Sequence, residues 1–252
     1  MRRNRSGAQQ ARETLLRDYP ESSTTLRVWS AIADRHYQNA QFKEALAIYE
    51  RLAPSLRGPA KQRFESAKAI VDYGGEPGRL LAAANDALKN NRRNLARNLY
   101  QLIARQKTNP AIVAEARVKY AWCLYSEGGP ENLAEAEKIW SSIASHDPKS
   151  EWGGQSRWHL VQLHAGPMRE WQKAVEMCAA IASDFPPGSF RHEQALYTRA
   201  WLLRTHKQWE QAHAAFEDLV RYYPAKASHP PIVRYMEEVA DGLSGSSQAS
   251  NR

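Results

Sequence analysis

The sequence predicts an all-α protein, a right-handed α-solenoid of about five stacked antiparallel helix hairpins with extra helices. The prediction depends on a pattern of four spaced residues that occurs three times in the second half of the chain. It reads Ala136, Trp140, Ile143 and Pro148, then Ala174, Cys178, Ile181 and Pro186, then Ala212, Phe216, Leu219 and Pro224. Consecutive alanines are 38 residues apart, since 174 − 136 and 212 − 174 both equal 38. A regular period of this length is typical of helical repeats.

The spacing inside the pattern also predicts helices. Steps of four and three residues place the alanine, the bulky residue and the aliphatic residue on one helix face. A proline then ends the helix, because it lacks a backbone N–H and clashes with a continuing helical turn. Each unit is therefore a helix hairpin that buries its apolar face only by stacking on its neighbours.

Weaker copies of the pattern extend it toward the N-terminus. The anchor alanines fall at 8, 45, 96 and 136, which gives intervals of 37, 51 and 40 residues. The first copy (Ala8, Leu15, Pro20) predicts a lone second helix. The 51-residue interval is too long by about one helix, so we expect Pro59 to Tyr73 to form an additional helix.

The same pattern sets the domain organisation. Residues 1–7 are predicted to be a basic, flexible N-terminus, and residues 8–240 a helical-repeat domain, looser over 55–95 and most regular over 110–226. A capping helix is expected at about 231–243, because its apolar residues recur at helical spacing. The small polar residues of 244–252 predict a disordered tail.

The first complete hairpin resembles the tetratricopeptide repeat family. Trp29, Ile32, Ala33 and His36 occupy the family's W, L, G and Y positions, and Ala40 to Ala45 resembles its G-x-Y-x-x-A turn. The longer period and the segments between repeats are similar to the subclass in bacterial envelope proteins, such as the Tol-Pal cell-division coordinator and the lipoprotein of the outer-membrane barrel assembly complex. The resemblance covers roughly residues 8–240 and implies a protein-binding solenoid.

In that family the first helix of each hairpin lines a concave groove, and four of its positions face a bound peptide. The resemblance assigns those positions in the last hairpin to Gln194, Tyr197, Trp201 and Arg204, in the first complete hairpin to Arg27, Ser30, Asp34 and Tyr37, and in the fourth to His159. Packing of Trp201 against the neighbouring repeat is the alternative. Asn85 fits one position of the family's carboxylate clamp, but Leu81 replaces the required lysine, so capture of chaperone C-termini is not expected.

Positive charge is concentrated in one segment. The chain has a net charge of +8, and residues 79–119 contain nine basic and two acidic residues, a balance of 9 − 2 = +7. The candidate basic patch consists of Arg92, Arg93, Arg97, Arg105 and Lys107. Such a patch can attract an acidic protein segment, nucleic acid or an anionic membrane. The alternative is a solvated face whose neutralising acids come from a neighbouring repeat.

The residue patterns predict neither an enzyme nor a metal or cofactor site. His159 and His164 are five residues apart rather than four, so they diverge on a helix and make a poor zinc pair. The glycines at 74–78 have no preceding strand and no following Lys-Ser or Lys-Thr, so they do not predict a phosphate-binding loop. The glycines at 128–129 and 153–154 are interpreted as turns between helices. Cys178 takes the bulky position of its repeat and is expected to be a buried small hydrophobe.

Two functions follow from these observations. The first is a non-enzymatic scaffold for protein–protein interaction that binds a partner segment in the groove. The alternative is a nucleic-acid-associated helical-repeat adaptor that uses segment 79–119. No apolar run approaches the roughly 20 residues of a membrane span, and the N-terminus lacks the apolar stretch of a signal peptide. A cytoplasmic location is the default expectation, and a periplasmic one applies if the chain is a fragment.

Overall fold

The computed structural model describes residues 3–19 and 21–250, which contain thirteen α-helices, two short 3-10 helices and no strand. The α-helices are α1 Arg3–Asp18, α2 Ser23–Gln38, α3 Phe42–Leu52, α4 Gly58–Asp72, α5 Pro77–Lys89, α6 Arg93–Ala104, α7 Pro110–Glu127, α8 Pro130–His146, α9 Glu151–Ala165, α10 Trp171–Asp184, α11 Phe190–Thr205, α12 Trp209–Tyr222 and α13 Pro230–Ser250. The 3-10 helices are Ala53–Ser55 and Pro224–Ser228. Pro20, the predicted end of the first helix, lies outside the described residues.

The chain divides into two compact units, Met1–Cys123 and Leu124–Arg252. In unit 1, α2 packs on α3 and α5 packs on α6, and α4 contacts all four of these helices. In unit 2, each helix from α8 to α13 packs on the next along the chain. This order of neighbours confirms the predicted all-α array of helix hairpins.

The repeat positions are the centre of each core. Five of the six anchor alanines and the five bulky residues four positions after them are fully buried. These residues are Ala45, Ala96, Ala136, Ala174 and Ala212, with Tyr49, Tyr100, Trp140, Cys178 and Phe216. Burial raises the pKa of the Cys178 thiol to about 12, so the thiol stays protonated and unreactive at neutral pH, and its predicted core role is confirmed.

The long repeat interval contains the extra helix that the sequence predicts. Helix α4 begins with Gly58 and Pro59, and it buries Ser66, Ala67 and Ile70. Proline fits the first turn of a helix because the N–H that it lacks would have no partner there. The turn between α4 and α5 places Gly74 and Gly75 at φ 67° and 72°, in the left-handed region that glycine adopts without steric cost.

The interpretation of Gly153 and Gly154 as an interhelical turn was wrong. Both residues are buried in the first turn of α9, where the Ser150 side chain accepts a hydrogen bond from the Gly153 N–H at 3.1 Å. A Cβ atom at Gly153 would overlap the carbonyl oxygen of Asp147. The glycine is needed because the preceding chain passes too close for a side chain, which a turn signal in the sequence does not reveal.

Both ends of the described chain are more helical than the sequence indicates. Helix α1 begins at Arg3, inside the segment predicted to be flexible, and α13 continues to Ser250, beyond the expected boundary at 243. No proline follows Pro231, so the chain contains no residue that would force α13 to stop there. Residues 1, 2, 251 and 252 lie outside the described residues.

Four hairpin turns use the left-handed conformation without glycine. Ala40, Asn91, Arg169 and Lys207 have φ of 57–58°, and each lies two residues before a second helix of a hairpin. Three of these turns share a backbone bond that spans five residues, as in Gln41 N–H to the His36 carbonyl at 2.9 Å. Left-handed backbone is unfavourable for residues that have a Cβ atom.

A second repeating feature links neighbouring helices in unit 1. In two hairpins, a tyrosine on the second helix donates a hydrogen bond to the residue fifteen positions earlier, on the first helix. Tyr49 donates to Asp34 at 2.5 Å, and Tyr100 donates to Asn85 at 2.7 Å. A cation from a following helix completes each set. Arg63 donates to Asp34 at 2.6 Å, and Lys119 donates to Asn85 at 2.9 Å. We call each set of three a trio.

The same spacing carries different side chains in unit 2. Tyr125 and Trp140, again fifteen positions apart, have ring centroids 5.8 Å apart. His159 of the next first helix stacks on Trp140 at 4.8 Å and an interplanar angle of 27°. The trios of unit 1 are therefore polar, whereas this trio of unit 2 is aromatic.

Candidate functional site

Two clefts flank α11 in unit 2. The α9/α11 cleft has a volume of about 350 Å³ and is lined by Trp158, Val161, Gln162, Ala165, Tyr197, Thr198, Trp201 and Leu202. The α11/α13 cleft has a volume of about 230 Å³ and is lined by Phe190, Glu193, Gln194, Tyr197, Leu219, Lys226, His229 and Ile232. Tyr197 lines both clefts and forms the ridge between them.

Exposed aromatic side chains mark this part of the molecule. Phe190 is 74% exposed and Trp201 is 37% exposed, although both are large apolar residues on one helix. With Gln194 and Tyr197 they form what we call the α11 surface. Burial raises the pKa of the Tyr197 hydroxyl, with a smaller effect in the same direction from Tyr235 beside it. Tyr197 therefore stays neutral and can act as an amphipathic contact.

Arg204, the fourth residue assigned to the last hairpin, is directed away from both clefts. Its Nη1 donates to Glu238 at 2.8 Å, and its guanidinium lies 3.9 Å from the ring centroid of Tyr235. Both partners belong to α13, so the charge of Arg204 holds α13 against α11. The sequence could not show this contact, because it depends on which helix covers the end of the last hairpin.

His159 also lies outside the α9/α11 cleft. Its ring stacks on Trp140, and its Nδ1 is 3.1 Å from the side-chain oxygen of Gln162. Burial lowers the pKa of His159, against the opposing effect of the bond with Gln162. The neutral imidazole is therefore a packing residue of the aromatic trio, and Gln162 is the neighbour that reaches the cleft.

The residues that the resemblance assigns to the first complete hairpin lie in different surroundings within unit 1. Asp34 is held in a polar trio, and Arg27 is exposed on α2. Tyr37 packs edge-on against Phe42 with ring centroids 5.3 Å apart. Tyr37 also lines a cleft of about 590 Å³ formed by α2, α4 and α6 with the turn before α3, which we call the α4/α6 cleft.

The basic patch is split over different surroundings. Arg92 pairs with Glu65 of α4 at 3.6 Å, so a neighbouring helix supplies one of the neutralising acids. Arg97 and Arg105 line the α4/α6 cleft, beside Tyr37. Arg93 and Lys107 are exposed and line none of the clefts described here. The five residues are therefore divided between an ion pair, a cleft and exposed positions.

Several residues that line the two clefts were not predicted from the sequence. Trp158, Gln162 and Phe190 line the clefts but are not among the site residues predicted above. A usable signal was present for two of them, because Trp158 and Gln162 are four residues apart on α9, the first helix of the preceding hairpin. Phe190 gave no signal, because its exposure depends on where α11 begins.

Within the described residues, no group of three or more histidine, cysteine, aspartate or glutamate side chains could hold a metal ion. No helix in this part of the chain combines the length and the apolar composition needed to cross a membrane. The α11 surface and the two clefts beside it offer mainly aromatic, amide and aliphatic contacts, which suits recognition.

The hairpins and their repeated core positions define a helical-repeat protein. Residues 194–225, which include most of the α11 surface, match the family model of the tetratricopeptide repeat. Proteins with this repeat generally act as scaffolds for protein–protein interaction. A comparison with curated proteins finds no match.

Similar solved structures include proteins from two organisms. One is the Podosopora anserina putative kinesin light chain with nearly identical TPR-like repeats, which is 16% identical over 83% of this chain and 99% of that chain, with a TM-score of 0.46. Another is BtubC (BKLC) from P. vanneervenii, which is 15% identical over 87% of this chain and 88% of that chain, with a TM-score of 0.48.

Proposed function

We propose that this protein is a non-enzymatic scaffold that binds a segment of a partner protein on the α11 surface. The observation that carries the proposal is the exposure of Trp201 at the edge of an apolar cleft, next to Tyr197, which lines a second one. Aromatic residues beside well-formed pockets supply much of the binding energy at protein interfaces. Similarity to the envelope-protein subclass rests on the sequence pattern alone and stays a prediction.

The two clefts define the kind of segment that fits. They lie on opposite sides of the ridge formed by Tyr197, so a bound segment crosses α11 and places an apolar side chain in each cleft. Gln194 and Gln162 offer one amide group to each cleft for hydrogen bonds with the segment. Lys226 and Glu193 pair at 2.6 Å in the lining of the α11/α13 cleft, where they limit the depth to which a side chain can enter.

A selected peptide tests the proposal. A random peptide library displayed on phage is panned against the full chain, and the recovered peptides are titrated calorimetrically against the wild type and Trp201→Ala. We expect Trp201→Ala to weaken binding roughly tenfold or more, as loss of an aromatic anchor does at other interfaces. Far-UV circular dichroism should show the same helix content in both proteins.

Tyr222→Ala is the matched control. Tyr222 is 47% exposed on α12 and lines neither cleft, so its loss should change affinity less than about twofold. Equal affinity of the wild type and Trp201→Ala for every recovered peptide would show that the α11 surface is not the binding site.

The alternative, an adaptor for nucleic acid that uses segment 79–119, has less support. Ion pairs engage several of its basic residues, among them Arg79 with Glu76 at 2.8 Å, Arg92 with Glu65 at 3.6 Å and Lys119 with Glu115 at 2.6 Å. A single-stranded oligonucleotide at low ionic strength tests it, because phosphate contacts are strongest there. Absence of binding under those conditions would exclude the alternative.

A further inference from the structure

The α9/α11 cleft has an uncharged lining that is rich in aromatic side chains. Three of its eight lining residues are aromatic, namely Trp158, Tyr197 and Trp201. Gln162 and Thr198 supply its other polar groups, and no charged side chain is among the described residues that line it. The chain as a whole has a net charge of +8. The cleft is therefore a neutral surface on a basic protein, and it does not select its ligand by charge.

The Gln162 carboxamide is oriented by His159. The Gln162 Oε1 atom lies 3.1 Å from Nδ1 of His159. Burial lowers the pKa of His159 and the bond with Gln162 raises it, as expected when the imidazole N–H donates to the amide oxygen. The side-chain nitrogen of Gln155 lies 3.4 Å from Nε2 of the same ring, which a neutral imidazole presents as an acceptor. The oxygen of Gln162 is therefore engaged, and Gln162 offers its NH2 group to a ligand.

The cleft offers more hydrogen-bond donors than acceptors. The indole N–H of a tryptophan donates and cannot accept, so neither Trp158 nor Trp201 adds an acceptor. The Thr198 hydroxyl can do either. A ligand that suits such a lining has carbonyl oxygens and few N–H groups. Proline supplies that combination, because it keeps its main-chain carbonyl but has no main-chain N–H.

The aromatic side chains also suit proline. Proline-rich segments bind grooves lined by aromatic residues, because their polyproline II helix is already extended and loses little entropy on binding. Trp201 is 37% exposed at the edge of the cleft, beside Tyr197. Val161 and Leu202 add aliphatic area to the same lining. The cleft thus offers flat and apolar contacts for a rigid prolyl ring.

The position of the second cleft agrees with the repeat of a polyproline II helix. This helix has three residues per turn and a rise of about 3.1 Å per residue, so residues i and i+3 lie on one side, roughly 9 Å apart. An α-helix with its side chains is about 10 Å across. Two prolines three residues apart can therefore enter the α9/α11 cleft and the α11/α13 cleft, on either side of the ridge formed by Tyr197.

Other classes of ligand fit these clefts less well. Nucleic acid or an acidic segment needs cations, and Lys226 is the one lysine or arginine among the described residues that line the two clefts. Lys226 pairs with Glu193 at 2.6 Å. An amphipathic helix bonds its main-chain carbonyls internally, so it would leave the NH2 group of Gln162 without a main-chain acceptor.

We propose, on the basis of the scaffold function above, that the segment bound on the α11 surface is proline-rich and forms a polyproline II helix with prolines three residues apart. One proline packs beside Trp201 in the α9/α11 cleft, and the next enters the α11/α13 cleft. The NH2 group of Gln162 donates to a main-chain carbonyl of the segment in the first cleft, and that of Gln194 does so in the second.

Fluorescence polarisation tests the class of ligand with defined probes. The first probe is a short fluorescein-labelled peptide with proline at every third position and alanine or serine between, and the second has leucine in place of each proline. We expect the full chain to bind the proline peptide roughly tenfold or more tightly than the leucine peptide. Trp201→Ala should weaken binding of the proline peptide roughly tenfold or more, since an aromatic anchor is lost.

A matched pair of variants tests the role of the Gln162 donor. Gln162→Glu keeps an oxygen for His159 but replaces the NH2 group by an acceptor, so it should weaken binding of the proline peptide roughly threefold or more. Gln155→Glu is the control, because it adds the same charge to the same helix, at the other amide that contacts His159, outside the cleft. It should change affinity less than about twofold.

Three results would overturn the assignment of a proline-rich ligand. They are binding of the proline peptide that is absent or no tighter than that of the leucine peptide, equal affinity of the wild type and Trp201→Ala for the proline peptide, and equal losses in the two glutamate variants. If peptides selected from the library still lose affinity for Trp201→Ala, the scaffold function stands and only the class of ligand is wrong. The two proposals therefore fail separately.

Discussion

Units 1 and 2 are built on the same spacing but use different chemistry. In unit 1 the trios are polar, with a tyrosine hydroxyl bonded to Asp34 or Asn85 and a cation from the following helix. In unit 2 the trio at the same spacing is aromatic, centred on Trp140. The clefts follow the same division, since the α4/α6 cleft is lined by arginines and carboxamides and the α9/α11 cleft mainly by apolar residues.

The difference shows that the repeat fixes backbone positions rather than the interactions made there. A buried hydroxyl needs a hydrogen-bond partner, so each polar trio depends on specific atoms. A buried indole needs mainly matching volume, so the aromatic trio depends on shape. Mutations should therefore affect the two units in different ways, and the following predictions test that contrast.

The largest effect is expected from Trp140→Ala in unit 2. Trp140 is fully buried between Tyr125 and His159, so truncation leaves a large cavity. We expect a loss of about 3–5 kcal/mol in the free energy of unfolding, measured by urea denaturation. Trp201→Ala is the control and should cost about 1 kcal/mol or less. Similar losses in the two variants would contradict the packing role of Trp140.

The next effect is expected from Asp34→Ala in unit 1. This change leaves the buried Tyr49 hydroxyl without its acceptor and Arg63 without its counter-charge. We expect a loss of about 2–3 kcal/mol, and a smaller loss of about 1 kcal/mol for Asp34→Asn, which keeps an acceptor oxygen. Ser30→Ala on the same helix serves as the control. If its urea midpoint falls as far as that of Asp34→Ala, the polar trio is not a stabilising unit.

A third change should affect the two units alike, because the left-handed turns occur in both. Ala40→Gly in unit 1 and Lys207→Gly in unit 2 relieve backbone strain at φ of 58°. We expect each to raise the free energy of unfolding by about 0.5–1 kcal/mol. Ala45→Gly, inside α3, should be destabilising in the same thermal melts. A loss of stability for either turn variant would show that the Cβ atom makes a contact that outweighs the strain.

The smallest effect concerns pH and should appear mainly in unit 2, whose aromatic trio contains His159. Burial lowers the pKa of His159 in the folded state, so the unfolded chain takes up a proton more readily as the pH falls. Stability from this group is complete above the unfolded value of about 6.5 and decreases below it. In denaturation curves at pH 7.5 and 5.5, His159→Gln should reduce the loss on acidification. His192, whose pKa burial also lowers, accounts for part of the remainder.

The sequence predicted the features that depend on local pattern. The alanine period located the helices and the fully buried Trp140 and Cys178, and the long interval located α4. The sequence did not predict contacts between helices that are distant along the chain. Pairing of Asp34 with Arg63 and of Arg204 with Glu238 depends on which helices pack together, and spacing alone does not determine that.

The candidate sites were predictable to a similar extent. The family resemblance assigned Gln194, Tyr197 and Trp201 to the groove face of α11, and in the structure each of the three lines a cleft beside α11. The sequence showed the basic residues as one cluster, but it could not show that they lie in different surroundings. Arg92 turns toward Glu65, whereas Arg97 and Arg105 line a cleft that forms only when α4 packs against α6.

The engagement of Arg204 by α13 has a thermodynamic consequence for the α11 surface. The Arg204 guanidinium is bonded to Glu238 and lies over the ring of Tyr235. The neighbouring clefts therefore offer mainly aromatic and aliphatic area to a ligand. Removal of such area from water lowers the heat capacity of the complex relative to its free components. The enthalpy of association should therefore become steadily more favourable on warming, and that slope would distinguish the α11 surface from a site governed by charge.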